Sequence, residues 1–331
     1  MRKVLVILLL VLLALPVFAD DAKILPAGVI RITLAPNYGF VPGAYDTDGK
    51  YTGFSSGEGR VNAWNIGAAI EYGVTDWISA AVQWAPGWNV SAPMDADLSP
   101  STSSANVNGL YSLFTGAEFQ LVGEQAPVKS ETVRFALAAG VKIPIGSVDF
   151  ADQYTNLVKG SDVTLFNVDK PTLGFGGRLY ADYIFSKAFF LNLYSELIYY
   201  PGTVAFKDSS FENYATYLNY GINPDVGYGY DLTVEVEPHY DFQLSEDATL
   251  EGSLPFTFTH SPNWTYSPSV PGLPDTYTSL LVVRPTLDLF LMKSPVPFPI
   301  ELKLAYSLPI AGWDTGASNA LIFLVRMYLK F

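Results

Sequence analysis

The amino-acid sequence predicts an all-β protein, a transmembrane antiparallel up-and-down β-barrel of about twelve strands over residues 20–331, behind a signal peptide at residues 1–19. Three observations predict it. The N-terminus reads as an export leader, segments of about ten residues carry an apolar side chain at every second position, and short links alternate with long polar ones.

The leader comes first. Arg2 and Lys3 precede an apolar run from Val4 to Leu15, then Pro16 and Val17-Phe18-Ala19, with a cut expected after Ala19. The run falls short of the roughly 20 residues that a spanning helix needs, and the polar Asp20-Asp21 that follows argues against a retained anchor. With no cysteine in the chain, lipoprotein anchoring, disulfides and thiolate metal sites are excluded. The net charge is -13, and removal of Arg2 and Lys3 takes it to -13 - 2 = -15. Such an excess of acid disfavours a nucleic-acid partner, which needs clustered basic residues.

The strands are expected to start near Gly28, Asn62, Trp77, Asn108, Thr132, Pro171, Phe189, Tyr228, Thr249, Tyr277, Pro299 and Ala320. The last is the clearest: Leu321, Phe323, Val325, Met327, Leu329 and Phe331 share one face, while Arg326, Tyr328 and Lys330 share the other. The eleventh sets Leu302, Leu304 and Tyr306 against Glu301, Lys303 and Ala305, and the eighth sets Leu232, Val234 and Val236 against Thr233, Glu235 and Glu237. Pro36, Pro238, Pro255 and Pro285 fall inside strands, where bulges or frayed ladder positions are expected because proline has no N–H to donate.

A soluble sandwich alternates too, so the links decide. Short ones at 73–76, 186–188, 244–248 and 293–298 alternate with long ones near 39–61, 89–107, 145–170, 201–221 and 260–276. That asymmetry belongs to outer-membrane barrels, with tight periplasmic turns and long external loops. Closure leaves no unpaired backbone edge in lipid, where each unmet polar group costs several kcal/mol. Tyr38, Tyr72, Trp77, Trp84, Trp88, Tyr111, Tyr183, Tyr199 and Tyr200 crowd strand ends and suit interfacial girdles facing membrane lipid. The segment 146–170 is the longest candidate for folding into the lumen, although a solvated external loop is the favoured expectation.

The face opposite the apolar one is rich in charge. Its basic residues are Arg31, Arg134, Lys142, Arg178, Arg284, Lys303, Arg326 and Lys330, and its acids are Glu71, Glu118, Asp182, Glu196, Asp231, Glu235, Glu237, Asp241, Glu251, Asp288 and Glu301. A dry cavity holding so many ions is incompatible with a protein's marginal stability unless each is paired. The candidate pore-lining residues are Arg31, Arg178, Glu196, Glu235, Glu237, Glu251, Arg284, Asp288, Lys303 and Arg326. Basic residues on strands ten to twelve and one oppose acids on strands seven to nine, which predicts a transverse field. Acids outnumber bases by eleven to eight across these two sets, so a water-filled channel for small solutes with weak cation preference is expected. Two alternatives stand beside it: a barrel plugged by ion pairs, and an adhesive barrel whose external segment 264–277 binds a partner.

Catalytic, cofactor and metal-binding residues are not expected. Of the two histidines, His239 lies among acids and His260 precedes Ser261, yet neighbours in sequence rarely hold the geometry of a nucleophile and an oriented base. No carboxylate and histidine spacing suggests a metal, and Gly174-Phe175-Gly176-Gly177 opens no helix and so is not a nucleotide loop.

The alternating C-terminal strand ending on Phe331 resembles the terminal signal by which bacterial barrel proteins are handed to the outer-membrane assembly machinery, which implies that machinery as a partner. The hairpin Glu71-Tyr72-Gly73-Val74-Thr75-Asp76-Trp77-Ile78, with Leu25-Pro26-Ala27-Gly28 before the first strand, resembles the transporter-like barrels associated with meta-pathway phenol degradation. That resemblance covers about a fifth of the chain and implies a channel for small organic molecules.

Overall fold

A computed structural model describes residues 22–54, 61–93, 104–146, 149–159, 163–167, 169–271, 273, 275–293 and 296–330. The signal peptide expected at 1–19 and the terminal Phe331 lie outside these residues. Twelve strands form the wall: β1 (Val29–Val41), β2 (Val61–Thr75), β3 (Ile78–Pro93), β4 (Ser104–Leu110 and Leu113–Val122), β5 (Val133–Ile143), β6 (Gly174–Ile184), β7 (Phe189–Ala205), β8 (Asp225–Ser245), β9 (Ala248–Ser253 and Phe256–Ser261), β10 (Thr278–Val283 and Thr286–Leu291), β11 (Ile300–Trp313) and β12 (Asn319–Lys330). Each pairs antiparallel with the next. The barrel closes where β1 meets β12, from Val29 opposite Lys330 to Phe40 opposite Asn319. The fold class and strand order expected from the alternation are therefore observed.

The faces are inverted relative to a water-soluble protein. Leu34, Ile70, Leu137, Leu193, Leu304, Leu321 and Phe323 point outward and are exposed, while Thr33, Asn65, Asp182, Asn192, Glu235 and Arg326 point inward and are buried. Burying a side chain such as Leu in hydrocarbon instead of water gains about 1.5–3 kcal/mol. A closed wall with this outer face is thus matched to hydrocarbon and not to water.

The links follow the expected asymmetry. Two residues, Asp76 and Trp77, join β2 to β3, and Glu246 and Asp247 join β8 to β9. The external links are longer and partly ordered. Gly43–Tyr45, Tyr51–Gly53 and Thr315–Gly316 form a small sheet above the β1–β2 and β11–β12 ends. Between β5 and β6, helix α1 (Phe150–Val158) is followed by a strand, Val163–Asn167, that pairs parallel with the external part of β4. The described parts of the 146–170 segment are therefore ordered against the wall instead of forming the free solvated loop expected. Between β7 and β8, helix α2 (Phe211–Tyr220) starts at Ser210, whose side chain accepts from the Asn213 N–H, and stops at Gly221 with φ 66°, a left-handed conformation that glycine adopts without strain. Phe211 of α2 meets Phe150 of α1 edge-on at 5.6 Å, so the two helices pack together. Outside the wall, burial pushes the Glu212 carboxyl of α2 up to about 7.

Of the four strand prolines, Pro36 and Pro238 are carried inside β1 and β8, opposite Ile66 and Leu191. Pro255 and Pro285 interrupt β9 and β10, because each removes a ladder donor from the sheet.

Candidate functional site

The lumen is built in storeys, beginning at the periplasmic end with the chain that precedes β1. Gly28 N–H donates to Gly73 O at 2.9 Å and Ala27 N–H to Asp76 Oδ1 at 3.1 Å. A Cβ on Gly73 would lie 2.1 Å from Pro26 O, so only glycine admits this crossing. The two motifs that carry the phenol-pathway resemblance thus rest on each other. This contact turns the preceding residues into the barrel. Ala22 is fully buried against Ala136, Tyr180 and Tyr194. Its N–H donates to both oxygens of Asp182 at 3.3 and 3.2 Å, and its carbonyl accepts from Gln120 Nε2 at 2.5 Å. Asp182 also accepts from Arg134 at 3.2 Å and from Asn192 at 2.7 Å, so one buried carboxylate gathers β5, β6, β7 and the N-terminal segment.

The middle storey centres on Arg178 of β6. Its guanidinium pairs with Glu196 of β7, lies 4.1 Å above the Phe114 ring of β4, and donates twice to Gln83 Oε1 of β3 at 3.2 Å. Reaching that far along the wall requires a low inner surface beneath it. Gly140 and Gly176 supply one, since a Cβ on either would lie 2.5 or 2.7 Å from the Phe114 ring.

The external storey joins Lys142 of β5, Asp169 and Lys170 of the ordered α1–β6 link, Tyr200 of β7, Tyr228 and Asp231 of β8, and Ser261 of β9. Lys142 Nζ lies 2.7 Å from Asp169 and 3.2 Å from the Tyr200 hydroxyl. Lys170 pairs with Asp231 and sits 4.5 Å from the Tyr200 ring centre and 5.7 Å from that of Tyr228. Tyr200 and Ser261 donate to Asp231 at 2.8 and 2.5 Å. Two cations and two anions thereby neutralise one another in an aromatic surround. Above them Ile198, Phe206, Val226 and Tyr228 form an apolar cluster packed by Trp264 and Tyr266.

Around the remaining wall, contacts are more local. Arg284 of β10 donates to Glu235 of β8 at 3.2 Å and to Thr257 of β9 at 3.0 Å, and Thr257 donates to the same Glu235 oxygen. His239 stacks on Phe190 at 4.2 Å, with Nδ1 2.7 Å from Glu251 and Nε2 3.3 Å from Glu237. Lys303 of β11 lies 3.4 Å from Asp288 of β10, Arg326 of β12 donates to Glu301 of β11 at 2.5 Å, and Arg31 of β1 donates to Glu71 of β2 at 2.6 Å.

All ten residues singled out in the sequence face inward; eight have an oppositely charged partner, and Glu237 and Glu251 contact His239. The two charge sets do not stand apart as opposing walls, since Arg284 joins Glu235 directly and Arg31, Lys303 and Arg326 pair with neighbouring strands. Pairing of this kind lowers the cost of holding the charges inside. Sequence reasoning missed Gln83, Phe114, Lys170 and Ala22 as partners. Parity marks Gln83 and Phe114 as inward, but nothing in the pattern marks residues outside the strands.

His260 and Ser261 separate onto different faces: Ser261 bonds Asp231, and His260 Nδ1 contacts Ser279 Oγ at 2.8 Å. Among the described residues no acid pairs with His260, and no cluster of three metal-ligating side chains occurs. A serine–histidine contact without an orienting third group lacks the constellation of a hydrolase.

No family model and no curated protein matches the chain. Among solved structures, an outer-membrane channel from Pseudomonas putida F1 matches with a TM-score of 0.62 and 12% identity, over 95% of this chain and all of that one. A FadL homologue from Pseudomonas aeruginosa (TM-score 0.39, 11% identity, 92% and 90% coverage) and a toluene transporter from Ralstonia pickettii (TM-score 0.39, 10% identity, 93% and 90% coverage) overlap less well. At that identity the first likeness speaks for architecture, and together with the closed wall and its apolar outer face it makes this chain a twelve-stranded β-barrel of the outer-membrane type.

Proposed function

We propose that the barrel is a channel that passes small polar or organic solutes passively across the outer membrane, with a weak preference for cations. The observation that carries this reading is the difference between the two halves of the inner face. From β3 to β8, side chains tie non-neighbouring strands together, as Arg178 does with Gln83. From β10 through β12 to β1, the pairs Asp288–Lys303, Glu301–Arg326 and Arg31–Glu71 join adjacent strands and stay along the wall. The solute path follows this second half, lined by Arg284, Asp288, Lys303, Arg326 and Arg31, with Glu235, Glu237 and Glu251 at its border. Arg178 and Glu196 bound it from the tied half. Alternating charges along a wet wall suit dipolar solutes, and the acidic excess of the inner face sets the cation preference.

Purified protein in a planar bilayer tests this. Discrete conductance steps, with a reversal potential in a salt gradient that indicates cation selectivity, are expected. A silent barrel supports the structural or adhesive reading, which the dense pairing favours, and anion selectivity overturns the charge argument.

Export and assembly belong to the same proposal. The leader is cut after Ala19, so the mature chain begins at Asp20, and the strand ending in Phe331 is read by the assembly machinery. N-terminal sequencing of the mature protein, and loss of outer-membrane insertion on replacing Phe331, are the expected results.

A further inference from the structure

The lipid-facing wall is not smooth. Across β8–β11 it holds an open apolar cavity of about 510 Å³ whose floor includes Pro238, Gly252 and Pro285 and whose rim includes Tyr240, Leu287 and Leu304. The cause is one of size: Gly252 lies in register between Tyr240 and Leu287, two large outward side chains, and a Cβ added to it meets nothing within 4 Å. In the next row, Pro238 and Pro285 flank Leu254 with short rings.

We propose that this dent binds one acyl chain of a phospholipid from the periplasmic leaflet. Two observations choose that occupant. The outward lining carries no charged side chain and continues the exposed band of Leu304, Leu321 and Phe323, so what fills it comes from hydrocarbon. Gly252 follows the tight Ser245–Ala248 link by four residues, which at roughly 3.3 Å per residue along a tilted strand places the dent in the periplasmic half of the wall, where outer-membrane lipid is phospholipid.

The prolines that shape the dent also leave the ladder beneath incomplete. Leu254 N–H donates to Pro238 O at 3.2 Å, Arg284 N–H to Pro255 O at 2.9 Å and Tyr306 N–H to Pro285 O at 3.2 Å. Each proline lacks the N–H to return the bond. Thr286 Oγ1 donates to Arg284 O at 2.9 Å and supplies one of the missing bonds. Three adjacent seams are therefore each one backbone donor short at the level of the dent. An acyl chain packed over the dent restores the dispersion contacts that a void forfeits.

The test is independent of conduction. Barrels extracted into maltoside detergent are incubated with dioleoyl phosphatidylethanolamine, exchanged into lipid-free detergent and weighed by native mass spectrometry. Wild type is expected to retain one phospholipid. Gly252→Leu, whose side chain enters open space and fills the dent, is expected to lower that occupancy about ten-fold. Gly177→Leu, on the outer face of β6 and also without a neighbour within 4 Å, is expected to retain it as wild type does. Heat-modifiable migration on a gel verifies that each variant is a closed barrel. No lipid on wild type, equal occupancy in Gly252→Leu, or equal loss in both variants overturns the proposal. Retention by wild type and by Gly177→Leu, with loss in Gly252→Leu, supports it.

Discussion

The inner faces of β3–β8 and of β9–β12 with β1 carry similar chemistry in different geometry. In the first, one side chain serves several strands: Asp182 collects donors from Arg134, Asn192 and Ala22, and Lys170 crosses Tyr200 of β7 to reach Asp231 of β8. In the second, most pairs join neighbours in the ladder, as Lys303 does with Asp288. The difference teaches that paired charge has two uses in a barrel. Where an ion reaches past its neighbour it acts as a strut and occupies the lumen. Where it pairs beside itself it leaves the wall charged and compact. Both arrangements limit the cost of desolvation, and on the proposed channel reading the second lines the path.

The largest effect is expected at the strut with most partners. Asp182→Ala leaves the Arg134 guanidinium, the Asn192 amide and the Ala22 N–H without their acceptor in a site where the carboxylate is fully buried. Removing one partner from a buried pair costs about 3–5 kcal/mol. Thermal unfolding in detergent is expected to shift down markedly, while Lys303→Met, in the ladder half, shifts it far less. Similar shifts for the two variants break the distinction between halves.

Next comes Arg178→Ala, which removes a reach over three strands and bares the Phe114 ring. Several charge-assisted hydrogen bonds are lost, at about 1.5–3 kcal/mol for each group left unsatisfied. Single-channel conductance is expected to rise, because the side chain stands in the lumen instead of along its wall. An unchanged conductance places the path elsewhere.

Selectivity sharpens the comparison further. Lys303→Glu sets a third carboxylate beside Asp288 and Glu301 on the ladder half. A unit charge at close range in water acts with about 1 kcal/mol, so the cation-to-anion permeability ratio is expected to rise by up to about five-fold. The same reversal at Lys142 is expected to lower stability instead, since that ammonium is buried between Asp169 and Tyr200. A selectivity shift of equal size from Lys142→Glu contradicts the assignment of the path.

How much of this was legible in the sequence follows from range. Period-two alternation is local, so strand order, closure and the inward position of Arg31, Glu235 or Arg326 were readable from neighbours two residues apart. Partner choice was not. Arg284 finds Glu235 because Thr257 between them is small enough to be bridged, a fact of three-strand register that no single strand contains. The segment 146–170 read as solvated because its acids are dense, yet Asp169 meets Lys142, a charge more than twenty residues away in sequence. The dent at Gly252 was equally silent, since a glycine opposite two large residues is visible only once register is known.

The smallest effect is expected at the N-terminal segment, where the strut half meets a piece of chain outside the ladder. Gln120 holds the Ala22 carbonyl through one neutral hydrogen bond, worth about 0.5–1.5 kcal/mol. Gln120→Leu is therefore expected to leave global unfolding almost unchanged. It loosens a segment otherwise fastened by Asp182 from one side and by the Gly28–Gly73 contact from the other. Lys23, whose ammonium lies 5.4 Å from the Phe190 ring centre, follows Ala22 directly and reports that loosening. Trypsin added to intact barrels is expected to cut after Lys23 faster in Gln120→Leu than in wild type, read as the mass lost from the N-terminus. Equal rates indicate that Asp182 alone retains the segment, and then Asp182→Asn, which keeps the shape and removes the charge, is the substitution that releases it.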